Sequence, residues 1–241
     1  MCVFIAVRIK RILALAAVVL VPICFFGLRG ALSAVTVSQT DGPVLVIDAG
    51  HGGEDGGAQT EDGTLESGLN LEIALRLDAL AGLCGVRTVL TRTSEDIAYP
   101  EDANTTAKRK VAEQHARATL VNALPDAVLI SIHQNCFPDS RPFGCQVLYA
   151  GTEGSEAFGK LTHELLCAAI CPDNRRVAAP APDSIYLMRS VSCTAILVEC
   201  GFLSNAKEAG QLKTEAYQIK ISAALLASYL QYRARPDGMI G

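Results

Sequence analysis

Val44-Leu45-Val46-Ile47-Asp48-Ala49-Gly50-His51-Gly52-Gly53 runs four large apolar residues into an acid, a histidine and a glycine-rich turn. Two further apolar runs break off in the same way, 128–132 on His133 and 196–198 on Glu199. Unalternating Val, Ile and Leu suit strands that are buried on both faces, as a parallel sheet requires. In open α/β sheets, ligands bind in the crevice beyond the carboxyl ends of the strands. Three such ends therefore bring two histidines and a glutamate to one side of the sheet.

Outward from these runs, β-branched or Gly/Pro-bounded stretches predict strands at 44–48, 87–92, 127–133, 144–150, 185–188 and 194–199. Helical spacing separates them. Leu69, Ile73, Leu77, Leu80 and Cys84 recur at three- and four-residue steps, as do Leu161, Leu165 and Ala168, and Ile221, Leu225 and Tyr229. The 105–124 stretch is helical but more polar, and Lys108, Arg109, Lys110, Glu113 and Arg117 are expected in solvent. Strands alternating with helices give an α/β fold: a mostly parallel central sheet of about six strands with helices on both faces.

Half of the 241 residues are hydrophobic and 19% are charged, the composition of a globular chain. A net charge of -4 supplies no basic footprint, which argues against nucleic acid as a partner. Arg8, Lys10 and Arg11 precede an apolar run at 12–28 that only Pro22 and Gly27 interrupt. Residues 1–34 thus read as a signal peptide or an N-terminal membrane anchor, with Ala31-Leu32-Ser33 as a small-x-small cleavage pattern. The basic flank places the rest outside the cytoplasm. Residues 35–43 form a linker, and 44–241 one compact domain.

Nine cysteines are present, with Cys2 and Cys24 in the targeting segment and no CxxC pair among the others. Cys84, Cys145, Cys167 and Cys200 lie in or beside apolar segments, where a free thiol behaves as a small hydrophobe. Export also permits a disulfide such as Cys136 with Cys145.

Of the four histidines, His115 and His163 fall within helical patterns and read as surface or packing residues, whereas His51 and His133 each end a buried strand. Catalytic zinc takes histidine nitrogen and carboxylate oxygen from three protein ligands and keeps a fourth position open. Spacing leaves the third ligand open among Glu54, Asp55, Glu61, Asp62 and Glu66, with Cys136 behind them. Glu66 also suits the N-terminus of the helix it opens. The glycines at 50, 52, 53, 56 and 57 do not make a phosphate cradle, because Asp55 stands where the dinucleotide fingerprint needs glycine. They read better as a turn that lets backbone and ligand approach closely. An unpaired buried Glu199 would be costly, so it needs a partner or a function: further ligand, helix-capping acid or general base.

Four ordered segments resemble the zinc-dependent N-acetylmuramoyl-L-alanine amidases of the amidase 3 family: 46–53, Glu66 with Asn70-Leu71, 131–135, and 198–205. The likeness spans about residues 44 to 232. It implies that His51, Glu66 and His133 bind Zn2+ and that Glu199 is the catalytic acid. Ser67 stands where lysine often follows the glutamate, Gln134 where alanine is usual and Gly56 where proline is frequent. The resemblance further implies an extracytoplasmic hydrolase that cuts the amide between N-acetylmuramic acid and L-alanine in peptidoglycan. Membrane anchoring would run through 12–28, and a protein activator is left unnamed.

Between His133 and Glu199 one helical pattern stands out, around 155–169, so the long blocking helix of some divisional relatives is not expected. A short single-domain form looks most like the amidases that trim spore-cortex peptidoglycan. The alternatives are a catalytically silent peptidoglycan-binding or regulatory protein, and a zinc peptidase acting within the stem peptide.

Overall fold

The computed structural model describes residues 42–234. The proposed targeting segment and nearly all of the linker lie outside them. The elements in chain order are β1 (Val44–Ala49), α1 (Glu66–Leu83), β2 (Thr88–Leu90), α2 (Thr106–Asn122), β3 (Ala127–Asn135), β4 (Gln146–Tyr149), α3 (Ser155–Ile170), β5 (Ala179–Pro180), α4 (Tyr186–Ser190), β6 (Thr194–Phe202), α5 (Ala206–Leu212) and α6 (Glu215–Arg233). They build a six-stranded sheet in the order β2-β1-β3-β6-β4-β5. The strands β2, β1, β3 and β6 are mutually parallel, while β4 runs antiparallel to β6 and carries β5 beside it.

Alternation along the central strands sends side chains to two cores. Leu45, Ile47, Ile130, Ile132, Ile196 and Val198 pack with α1, α3 and α6. Val46, Leu129, Ala195 and Leu197 pack with Ala118 and Val121 of α2 and Leu187 and Met188 of α4. The helices therefore cover both faces, as the strand pattern predicts. In α1, Leu69, Ile73, Leu77 and Ala81 are buried at four-residue steps, and each large side chain among them contributes about 1.5–3 kcal/mol by burial.

Three expectations are corrected. The 185–188 run is not a strand: Tyr186–Ser190 is a helical turn that sets Leu187 and Met188 against α2's core. A short apolar run does not by itself distinguish strand from helix. The edge strand is instead Ala179–Pro180, where proline is tolerated because its missing N–H faces no neighbour. Glu113 is buried and the Arg117 side chain is only 10% exposed, rather than solvated, because they pair with each other and Arg117 reaches into β1's C-terminal end. Cys84 is exposed beyond α1, and Cys145 lies against Cys167 and Cys171 rather than bonded to Cys136. Unexpected from the pattern, α5 is capped by Asn205, whose side chain accepts hydrogen bonds from Lys207 N and Glu208 N.

Candidate metal centre

Strand β1 delivers His51 two residues past its end, β3 carries His133 near its own end, and Glu66 is the first residue of α1. In register, β3's His133 sits beside β6's Glu199, and Glu199 faces β4's Gln146 on the other side. Topology thus brings together residues almost 150 positions apart.

Glu66 Oε1 lies 3.3 Å from His51 Nε2 and 3.1 Å from His133 Nδ1. The two rings meet edge to face at 5.0 Å between centroids. Ligand atoms of His51, Glu66 and His133 all fall within 4.8 Å of one another, so a single cation can touch all three. Among the acids that spacing left open, Glu66 alone bridges the two histidines. Asp55 lies behind His51, with Oδ2 at 3.0 Å from Nδ1 and Lys110 Nζ at 2.9 Å from the same oxygen. Glu54 pairs with Arg109, and Asp62 with Lys213. Cys136 is exposed and outside the cluster.

Glycine makes this approach possible. A Cβ on Gly50 would stand 2.3 Å from the His133 ring, and one on Gly57 would stand 2.6 Å from Glu66 Oε2 and 2.8 Å from the His51 ring. The turn therefore holds backbone against ligand side chains, as the glycine pattern predicts. His51 itself adopts a left-handed φ of 58°, a strained state that surrounding contacts must hold.

Those contacts come from two arginines that sequence reasoning missed, Arg92, which is buried, and Arg117, which is nearly so. Arg117 donates to Asp48 Oδ1 (3.0 Å), Ala49 O (3.0 Å) and His51 O (2.5 Å). Arg92 donates to Ala49 O (2.9 Å), Gly50 O (3.1 Å) and Ser67 O (2.8 Å), tying the turn to the start of α1. The one sequence signal for this network is Asp48, an acid inside a strand too apolar to leave it unpaired. Burial works to raise the Asp48 carboxyl, but Arg117 and the Ser131 hydroxyl outweigh it and hold the group below its ordinary range.

Glu66 is likewise buried. Burial would raise it, yet His133 and His51 prevail and keep it ionised well below the usual carboxylate range. Its oxygens also accept from Ala58 N (2.9 Å) and Gln134 N (3.0 Å). For His51, burial opposes protonation, and Glu66 and Asp55 more than offset it, so the ring's proton affinity is raised. Glu199 goes the other way: burial pushes its carboxyl up, and Oε2 is buried without a hydrogen-bond partner. Gln134, which stands where alanine is usual, is buried, and its side chain donates to Asn70 Oδ1 at 3.2 Å.

The α/β sheet gathers a His/Glu/His cluster that could hold a metal, with a buried glutamate beside it, a frame that fits the hydrolase class. Residues 45–229 match the family described as N-acetylmuramoyl-L-alanine amidase, and the chain belongs to it. It is an amidase of that kind. The germination-specific N-acetylmuramoyl-L-alanine amidase of Bacillus subtilis (strain 168) is 32% identical over 192 residues, covering 79% of this chain and 80% of the relative. The CwlD amidase from Clostridioides difficile, solved in complex with the GerS lipoprotein, is 34% identical with a TM-score of 0.75, covering 79% of this chain and 98% of that one. An N-acetylmuramoyl-L-alanine amidase from Clostridium difficile 630 is 25% identical with a TM-score of 0.69, covering 80% and 97%.

Proposed function

We propose that this chain is a zinc-dependent N-acetylmuramoyl-L-alanine amidase in which His51, Glu66 and His133 hold the metal and Glu199 moves the proton. The observation that carries this is the placement of Glu199 in register beside His133, with an unpartnered buried oxygen. Two imidazoles and one carboxylate are a recurring donor set of catalytic zinc, and their ligand atoms are already gathered within 4.8 Å. Held by these three side chains, zinc would supply a Lewis acid for the amide carbonyl and for activation of water at neutral pH.

The chain's own residues do the rest. Asp55 fixes the His51 ring through Nδ1, while Arg117 and Arg92 hold the carbonyls of the turn that presents it. Glu199, its proton affinity raised by burial, takes a proton from the attacking water and returns it to the leaving L-alanine nitrogen. The bond cut joins the muramic lactyl group to the first residue of the stem peptide.

Likeness to the germination-specific amidase favours spore-cortex peptidoglycan as the substrate. The complex of the CwlD amidase with a lipoprotein favours a protein partner for this chain as well. Residues 1–34 would export or anchor the enzyme at the cell envelope, leaving 44–241 as the catalytic domain. No helix among the described residues is long and apolar enough to cross a membrane.

The test is mass analysis of digests of purified peptidoglycan, with zinc quantified in the same sample. Free glycan strands with intact stem peptides are expected, and cleavage within the peptide would replace this reading with a peptidase. Glu199→Gln should keep its zinc and lose most turnover. Release of the metal by that variant would make Glu199 a ligand, and full turnover would remove it from the chemistry.

A further inference from the structure

A second group of soft donors lies where α3 ends and β4 begins. Cys145 immediately precedes β4, Cys167 is in the last turn of α3, and Cys171 caps that helix one turn on. Cys145 Sγ is 3.2 Å from Cys171 Sγ and 3.6 Å from Cys167 Sγ, and all three sulfurs lie within 4.8 Å of one another. All three are free thiols. Sulfurs that share a tetrahedral zinc at about 2.3 Å stand roughly 3.8 Å apart, close to this triangle. A disulfide would need about 2.05 Å between two of them and would strand the third.

The surroundings suit thiolates. Asn174 Nδ2 stands 3.3, 3.6 and 3.8 Å from the sulfurs of Cys167, Cys145 and Cys171, and it also donates to Cys145 O at 2.8 Å. Amide N–H groups aimed at sulfur disperse negative charge and orient the ligands from behind. Room for Asn174 comes from Gly144, where a Cβ would stand 2.6 Å from Asn174 Cγ. His163, one turn before Cys167 on the same helix, brings Nε2 to 3.5 Å from Cys167 Sγ. That nitrogen donates to Arg176 O at 2.7 Å, so His163 flanks the thiols as a hydrogen-bonded neighbour and not as a ligand.

We propose that Cys145, Cys167 and Cys171 form a three-thiolate site for a thiophilic divalent cation, zinc foremost, separate from the catalytic cluster. A donor set of thiolates is characteristic of structural rather than hydrolytic zinc. Binding releases the three thiol protons to solvent. The bound ion ties the start of β4 to the end of α3. Gln146, the next residue along β4, is in register with Glu199, so the staple holds the strand flanking the catalytic acid.

The test uses the full chain, purified under reducing conditions and loaded with cobalt(II), alongside zinc quantification. Thiolate ligation is expected to give an intense near-ultraviolet sulfur-to-cobalt charge-transfer band, which a His/Glu/His site alone cannot produce. Zinc content should approach two ions per chain. Combined His51→Ala and His133→Ala should keep the band and one ion, whereas Cys167→Ser should lose the band and keep the other. Cys84→Ser is the control expected to change neither. Absence of the band in the reduced wild-type chain, its persistence in Cys167→Ser, or a Cys145–Cys171 disulfide in peptide mapping of the purified protein would each overturn the proposal. The wild-type spectrum decides even where a cysteine variant fails to fold.

Discussion

Replacing Asp48 by asparagine tests whether the ligand turn is held by a buried ion pair. Asp48 is fully buried, and its oxygens accept from Arg117 Nη1 at 3.0 Å, Thr91 Oγ1 at 2.7 Å and Ser131 Oγ at 2.6 Å. Asp48→Asn keeps the shape but withdraws the charge facing a guanidinium whose side chain is 10% exposed. Removing one partner of a buried pair costs about 3–5 kcal/mol, because the other charge stays desolvated. Arg117 keeps its contact with Glu113, so the loss belongs at the lower end, about 3 kcal/mol. At roughly 2–4 °C per kcal/mol for a domain of this size, Tm should fall by roughly 6–12 °C.

The pH dependence carries an independent sign. The folded-state pKa of Asp48 is depressed, so its stabilisation is present above the unfolded value of about 3.9 and is lost as pH falls through the folded value. The gap between wild type and variant should therefore be full at neutral pH and narrow in acid. Thermal unfolding from neutral to acid pH measures it, and a double-mutant cycle with Arg117→Met isolates the pair. A loss below about 1 kcal/mol, an additive cycle or a gap independent of pH would refute the network's role.

Two further substitutions address the centre itself. Asp55→Asn should weaken zinc binding by roughly 10–100-fold by loosening the His51 ring, as measured by chelator competition; unchanged affinity would mean that Asp55 does not orient the ligand. Gly50→Ala places a methyl 2.3 Å from the His133 ring, so metal content should drop while far-ultraviolet dichroism stays near that of wild type, and stoichiometric zinc in that variant would contradict the close approach.

What the sequence made legible follows from where the free energy is local. Strands β1, β3 and β6 were readable because each is a continuous apolar run, and a strand buried on both faces admits little else. The polar residues that interrupt or follow these apolar runs were readable for the same reason: His51, His133 and Glu199 stand out against what precedes them. Glu66 was different. Spacing offered several acids, family resemblance favoured this one, and only α1's placement over the sheet brings it between two imidazoles. The Ile185–Met188 region failed because four apolar residues fit a helical turn as well as a strand, and packing against α2 decided between them.

The deeper misses share one physical cause. Arg117 looks solvated within a helix bearing Lys108, Arg109 and Lys110, and nothing on α2 itself announces that one charge turns inward. Its burial is set by Asp48, on a strand 69 residues away, and by carbonyls that a left-handed His51 turns toward it. Likewise Cys167 and Cys171 form no recognisable metal motif until β4 brings Cys145 beside them. Periodicity reports which face an element buries, whereas polar partnerships are made between elements. A buried charge or thiol is therefore most informative where its own element gives it no reason to be there. Asp48 is such a residue in the sequence, and the Arg117 beneath the ligand turn is the partner its burial required.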